Sequence, residues 1–258
     1  MKRRHLLAAL AVAAAGGARA QAGPVVAAAS DLKFPLDEIA AHYQRATGRP
    51  VRISYGSSGN FFRQIAQDAP FELFLSADED FVFRLADLGL TPDRGTLYGT
   101  GRIVLFTPNG SPLVPDEQFA DLRRAIADGR LRRFAIANPE HAPYGRAAMQ
   151  ALQKTGLWSE LQPRLVLGEN VSQAAQFTTS GSAQAGTFAY SLALAPAFQN
   201  AGRYVLVPQA LHDPLRQRMV LTRKASGEAR EFYHYLQQPA ARTVFRRFGF
   251  TLPEEQAK

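Results

Sequence analysis

No cysteine occurs in the 258 residues. That absence excludes thiolate catalysis, Cys-ligated zinc, iron–sulfur clusters, disulfides and a lipid-modified N-terminal cysteine. Long apolar runs are also missing. The longest, Leu6 to Ala15, spans about ten residues, half of the ~20 needed for a membrane-crossing helix. No internal repeat of fixed period is visible, which argues against a solenoid or propeller. With 46% hydrophobic and 20% charged residues, the composition is that of a folded globular chain rather than a disordered one. Its length suffices for one large domain or for two lobes with their own cores.

The formal charge of +8 belongs partly to the N-terminus. Lys2, Arg3, Arg4 and Arg19 set aside, 26 basic residues face 22 acidic ones, leaving +4. The remaining arginines are scattered, as in Arg123-Arg124, Arg132-Arg133 and Arg246-Arg247. They form no basic stripe interleaved with aromatics, so no nucleic-acid partner is expected. The N-terminus itself reads as an export signal: a basic start at Lys2-Arg3-Arg4, the apolar run, then Ala18-Arg19-Ala20 as an A-x-A cleavage site. Residues 1–20 are therefore expected to be removed near Ala20, leaving Gln21 first. Arg3-Arg4 loosely resembles a twin-arginine signal without the usual polar residue before it, so both export routes stay open. The expected destination is a Gram-negative periplasm.

Short β-type runs alternate with helical periodicity. Strands are predicted at Val25–Ala29, Val51–Tyr55, Leu73–Ser76, Ile103–Phe106, Phe134–Ala137, Leu165–Leu167, Thr187–Ala189, Tyr204–Val207 and Met219–Leu221. Between them lie amphipathic segments such as Leu36, Ile39, Ala40 and Tyr43 at i, i+3, i+4, i+7. This alternation predicts an α/β protein with mainly parallel sheets flanked by helices. Tyr98–Gly101 and Val205–Pro208 read as crossings between lobes. The expected division is 21–104 plus 208–258 for one lobe and 105–207 for the other.

Enzymatic motifs are absent. Gly56-Ser57-Ser58-Gly59-Asn60 is not a nucleophile elbow, because Asn60 stands where that motif has glycine. His42, His141, His212 and His234 show no metal-ligand spacing and are expected at the surface or as caps. No phosphate-binding glycine loop occurs. What does recur is a polar turn between strand and helix: Ser30-Asp31, Gly56–Asn60, Asn138–Gly145 and Glu169–Ser172. Such turns cap helices in any α/β protein and need bind nothing. In open α/β sheets, however, ligands sit beyond the carboxyl ends of strands, where helix N-termini offer unpaired N–H groups to anions. About six charge-assisted hydrogen bonds, each worth roughly 1.5–3 kcal/mol, would suffice for micromolar capture of a small anion.

The wording of these turns is itself informative. Ala27-Ala28-Ala29-Ser30-Asp31-Leu32-Lys33-Phe34, Tyr55–Phe61, Leu73–Asp78, Asn138–Ala148, Gly168–Val171 and Phe245–Phe250 resemble, in the same order, the periplasmic molybdate-binding proteins of ABC importers. The resemblance covers essentially the whole mature chain. It implies a two-lobed type II periplasmic binding protein fold, with molybdate or tungstate in the cleft and an inner-membrane ABC permease as partner. It implies no enzyme activity, no cofactor, and no metal beyond the molybdenum inside the oxyanion. A monomer is expected. Carried across residue by residue, Ser30 and Ser58 would donate through hydroxyl and backbone N–H. Tyr144 and Val171 would donate mainly through backbone N–H, and Tyr190 through its hydroxyl. Ser57 and Asp31 are possible supporting contacts.

Asp31 departs from the family, which usually shows an apolar or amide residue there. A carboxylate facing a dianion is unfavourable, so Asp31 is expected to turn away and cap the helix starting near Leu32. If it faces the cleft, the preference for molybdate is in doubt. The alternatives are a protein of the same fold for sulfate, phosphate or an organic acid and, more distantly, a periplasmic serine hydrolase using Ser57 or Ser58. No base partner for such a serine is evident in the sequence.

Overall fold

The computed structural model describes residues 23–255; the expected signal peptide and its cleavage site lie outside them. From the first described residues the chain forms β1 (Val25–Ala29), α1 (Lys33–Thr47), β2 (Arg52–Gly56), α2 (Ser58–Ala66), β3 (Leu73–Ser76), α3 (Glu79–Asp87) and β4 (Thr96–Gly101). It continues through β5 (Ile103–Pro108), α4 (Ala120–Ala127), β6 (Phe134–Ala137), α5 (Pro143–Lys154), α6 (Trp158–Leu161), β7 (Leu165–Gly168), α7 (Val171–Thr179), β8 (Ala185–Ala189), α8 (Tyr190–Ala193) and β9 (Gly202–Leu206). β10 (Leu215–Leu221), α9 (Gly227–Tyr235) and α10 (Pro239–Arg247) complete it.

The strands form two five-stranded sheets, β2-β1-β3-β10-β4 and β7-β6-β8-β5-β9. In the first, β10 is antiparallel to both neighbours; in the second, β5 is. The other four strands of each sheet share a direction, so each sheet is mixed, with one strand reversed among four that run the same way. The reversed strand in each is one that enters directly from the other sheet, which turns its direction around.

Burial follows the strand period. In β1, Val26 and Ala28 join the core beneath α1, α9 and α10, while Ala27 joins Phe61, Phe62 and Phe81 on the opposite face. In β3, Leu73 and Leu75 take the first face and Phe74 the second. Helices thus cover both faces, as runs apolar at every position require. The second sheet has its own core around Phe106, Phe134, Ile136 and Phe188.

The chain passes between sheets at Arg102, the residue between β4 and β5, and returns through residues 207–214. Ile103 and Val104 belong to the second sheet, two residues ahead of the expected crossing. β4 itself is a correction, because Tyr98–Gly101 read as a connecting turn. Its glycines resemble breakers, yet they lie in a ladder with β10, where Tyr144 and Gln217 leave no room for a Cβ at Gly101 and Phe250 lies close to one at Gly99.

Candidate functional site

Four helical N-termini meet where the two sheets face each other. The β1 strand runs into a single 3-10 turn, Ser30–Leu32, and β2 into α2 with Ser57 at its N-cap position. On the opposite side α5 begins at Pro143, whose missing N–H is no loss at a first helical position. There too, α7 begins after Asn170, whose side chain accepts from the Gln173 N–H at 3.1 Å. Between them lies a space of about 10 Å³, room for roughly one water, lined by Ser30, Asp31, Ser57, Ser58, Tyr144 and Val171, with Ala77 and Ala142. That is well below the ~300–1,000 Å³ of pockets for drug-sized ligands. A larger hollow of about 610 Å³, lined by Thr100, Gln209, His212 and Arg216, contains none of these turns.

The donors are neutral. At the start of their helices, the N–H groups of Ser58, Tyr144 and Val171 have no intrahelical acceptor. The fully buried Ser58 Oγ accepts from the Ala77 N–H at 3.0 Å, which leaves its own proton to donate. Ser30 reaches across the cleft: its Oγ donates to Asn170 Oδ1 at 3.0 Å and accepts from the Ser172 N–H at 3.2 Å. No lysine or arginine lines the space; Arg146, one turn into α5, pairs with Asp78 instead.

Asp31 is not a helix cap. No side chain caps the turn at Ser30 or the start of α1. The Asp31 carboxyl is completely buried and lines the cleft. Its Oδ2 accepts from the Tyr144 hydroxyl at 2.9 Å and from Gln217 Nε2 at 2.8 Å. Gln217 Nε2 also donates to the Tyr144 oxygen at 2.9 Å, and Tyr98 donates to Gln217 Oε1 at 2.6 Å. Oδ1 has no hydrogen-bond partner. Burial pushes the Asp31 pKa up to about 6, against the opposing pull of Gln217, Tyr144 and the nearby N–H groups of Asp31 and Leu32. Gly101 makes this network possible, since a Cβ there would stand 2.2 Å from the Tyr144 hydroxyl and 2.7 Å from Gln217 Nε2.

The structure therefore brings together Ser30, Asp31, Ser57, Ser58, Tyr144 and Val171. Tyr190 stands apart. Its N–H donates to the Arg102 carbonyl, its ring packs 5.8 Å from Tyr204, and it lies over Gly249, where a Cβ would come within 2.5 Å of it. The Tyr144 side chain is itself engaged, its hydroxyl donating to Asp31. His141 and His212 are buried rather than at the surface. Among the described residues, no group of His, Asp and Glu could hold a metal ion, and no helix is long and apolar enough to cross a membrane.

A cleft between two mixed sheets, closed by contacts from both sides, is the architecture of a captor of small solutes, and the sequence matches the model of the bacterial extracellular solute-binding proteins over residues 24–251. The chain belongs to that family. This solute-binding protein is 35% identical over 235 residues to the molybdate-binding protein ModA of Rhodobacter capsulatus, covering 90% of this chain and 89% of that one. To ModA of Escherichia coli it is 32% identical over 252 residues, 95% of each chain. Its fold matches the periplasmic molybdate-binding protein of Azotobacter vinelandii with a TM-score of 0.80 at 31% identity, over 89% of this chain and 99% of that one.

Like these relatives, the solute-binding protein is not an enzyme. That decides how Ser57 is understood. Its Oγ lies 2.9 Å from His141 Nδ1, a partner the sequence did not reveal, and His141 Nε2 stands 3.6 Å from Glu169 Oε2. The Gly59 N–H donates to the His141 carbonyl at 2.9 Å, and Asn60 bonds Glu169. Together these contacts tie α2 to the turns before α5 and α7 across the cleft.

Proposed function

We propose that the protein captures molybdate, and tungstate with it, in the cleft between its lobes and presents the closed form to an inner-membrane ABC permease. The observation that supports this most is a small cavity ringed by neutral donors at four helical N-termini, in a chain whose relatives at 32–35% identity are named molybdate-binding proteins. Such donors solvate an anion without a counter-ion, because helix N-termini carry partial positive charge. Ser58 would donate through its hydroxyl, Ser30 through its hydroxyl in exchange for its bond to Asn170, and Tyr144 and Val171 through backbone N–H groups. All contacts are to oxygens of the anion and none to its metal.

Capture and release would proceed by hinging of the lobes about Arg102 and residues 207–214, with the cross-cleft hydrogen bonds reforming on closure. The basic, apolar N-terminus supports export to the periplasm with cleavage near Ala20. A monomer suffices, since both walls of the cleft come from one chain. Calorimetric titration with molybdate, and with tungstate, sulfate and phosphate as competitors, tests the reading. Saturable one-to-one binding of molybdate and tungstate that excess sulfate does not displace is expected. Sulfate or phosphate binding in its place would assign the cleft to another anion.

A further inference from the structure

Asp31 has a feature that the ring of donors does not explain. Its Oδ2 is saturated by Tyr144 and Gln217, while Oδ1 of the same cleft-lining residue, equally buried, has no partner. An ionised carboxylate so placed would set a negative charge against an arriving dianion. A neutral carboxylic acid would instead supply a further donor, with the proton on the one oxygen that lacks a hydrogen bond. We propose that Asp31 receives the oxyanion as a neutral acid, Oδ1–H donating to a ligand oxygen while Oδ2 keeps its bonds from Tyr144 and Gln217, so that each capture takes up one proton.

The surroundings favour this assignment. The groups packed on the carboxyl are Tyr144 from α5, Tyr98 from β4 and Gln217 from β10. Ser191 from α8 donates to the Asp31 carbonyl at 2.8 Å. Both phenols are pushed well above their ordinary range, by burial first and then by the Asp31 charge, so they stay neutral. Among the described residues, Asp31 makes no salt bridge that would hold it ionised. Burial outweighs the hydrogen bonds that favour the charged form and brings its pKa to about 6, and a dianion beside it acts in the raising direction. Molybdate has no proton of its own to give at neutral pH, so the proton comes from solvent. Molybdate oxygens are also more basic than those of sulfate, and an acid donor therefore favours molybdate beyond what cavity size achieves.

The proposal rests on the oxyanion reading, and the test separates the two. Molybdate is titrated into the mature protein by calorimetry between pH 6 and 8.5, in buffers of different ionisation enthalpy. Uptake approaching one proton per molybdate at pH 8, and a Kd rising about tenfold per pH unit above pH 7, are expected from linkage. Asp31→Asn keeps an acceptor for Tyr144 and Gln217 and an N–H for the ligand. It should abolish the uptake, flatten the pH dependence, bind molybdate at least tenfold more tightly than wild type at pH 8 and lose part of the discrimination against sulfate. Molybdate binding by wild type with no proton uptake and a flat Kd overturns the proposal and leaves the oxyanion reading intact. Hydrogen phosphate bound in place of molybdate, its own proton resting on an ionised Asp31, overturns both, as does failure of both proteins to bind any of the three anions. The wild-type uptake is independent of how the variant folds.

Discussion

The Ser57 hydroxyl and the His141 imidazole meet at 2.9 Å across the cleft, one from the N-cap of α2 and the other from the turn before α5. Their contact exists only while the lobes are together. A bond made only on closure favours the closed arrangement over an open one, and is expected to raise affinity through closure. Ser57→Ala should weaken molybdate binding by about 1 kcal/mol, roughly fivefold, from one lost hydrogen bond. The change belongs in the dissociation rate, readable by stopped-flow quenching of intrinsic fluorescence. An unchanged rate would show that closure does not depend on this contact.

Ser58 differs because its Oγ accepts from the Ala77 N–H and keeps its own proton to donate. Ser58→Ala removes a donor to a charged oxygen and should cost about 1.5–3 kcal/mol, or ten- to 150-fold in Kd by calorimetry. Affinity within twofold of wild type would remove Ser58 from the binding set.

Tyr190→Phe should leave molybdate affinity within twofold of wild type, because the ring packs at a tilt against Tyr204 and lies over Gly249. A tenfold loss would mean that the hydroxyl reaches the ligand by a rearrangement that this closed form does not contain.

Asp31 also affects the stability of the empty protein. A carboxyl raised from 3.8 to about 6 by folding favours the folded state fully below pH 3.8, and that advantage is lost as pH rises through 6. In all it amounts to about 3 kcal/mol. Measured by urea unfolding without ligand, the stability of wild type relative to Asp31→Asn should fall by about 1.4 kcal/mol from pH 5 to pH 8. A gap independent of pH would show that the carboxyl has an ordinary pKa.

Gly101→Ala should destabilise the protein by about 1–3 kcal/mol through overpacking, since its Cβ falls on the Tyr144 hydroxyl and Gln217. Gly227→Ala, with nothing within 4 Å of its Cβ, is the matched control and should be neutral or slightly stabilising. Equal unfolding midpoints for the two variants would argue that the network shifts at no cost.

The strand–turn–helix rhythm carried much of this architecture in its local pattern. β1, β3 and β6 stand where their apolar runs predict them, because each is a short buried strand bounded by polar turns. The turns holding Ser30, Ser58, Tyr144 and Val171 were legible for the same reason. β4 was not, because glycines at 99 and 101 look like breakers until Phe250, Tyr144 and Gln217 are packed against them. Gln217 was invisible as a site residue: in Leu215-Arg216-Gln217-Arg218 it reads as one more polar position. Only the placement of β10 between β3 and β4 carries its amide to Asp31. The same holds for His141, whose partner Ser57 is distant in sequence and near only once both lobes have formed. Local pattern reports on strands and caps, whereas a partner across a cleft is a property of the assembled sheets.

The place of β10 has a further consequence, for the order in which the chain can acquire its structure. The second sheet is built from one uninterrupted stretch, β5 to β9, and can be completed as soon as β9 is available. The first sheet cannot. Its inner strand lies between β3 and β4 yet is made only after the whole of the second lobe. A chain emerging N-terminus first from a translocation pore would hold β1 to β4 with a gap where β10 belongs. The lobe encoded first is therefore finished last, and the Gln217 amide beside Asp31 arrives with the strand that finishes it.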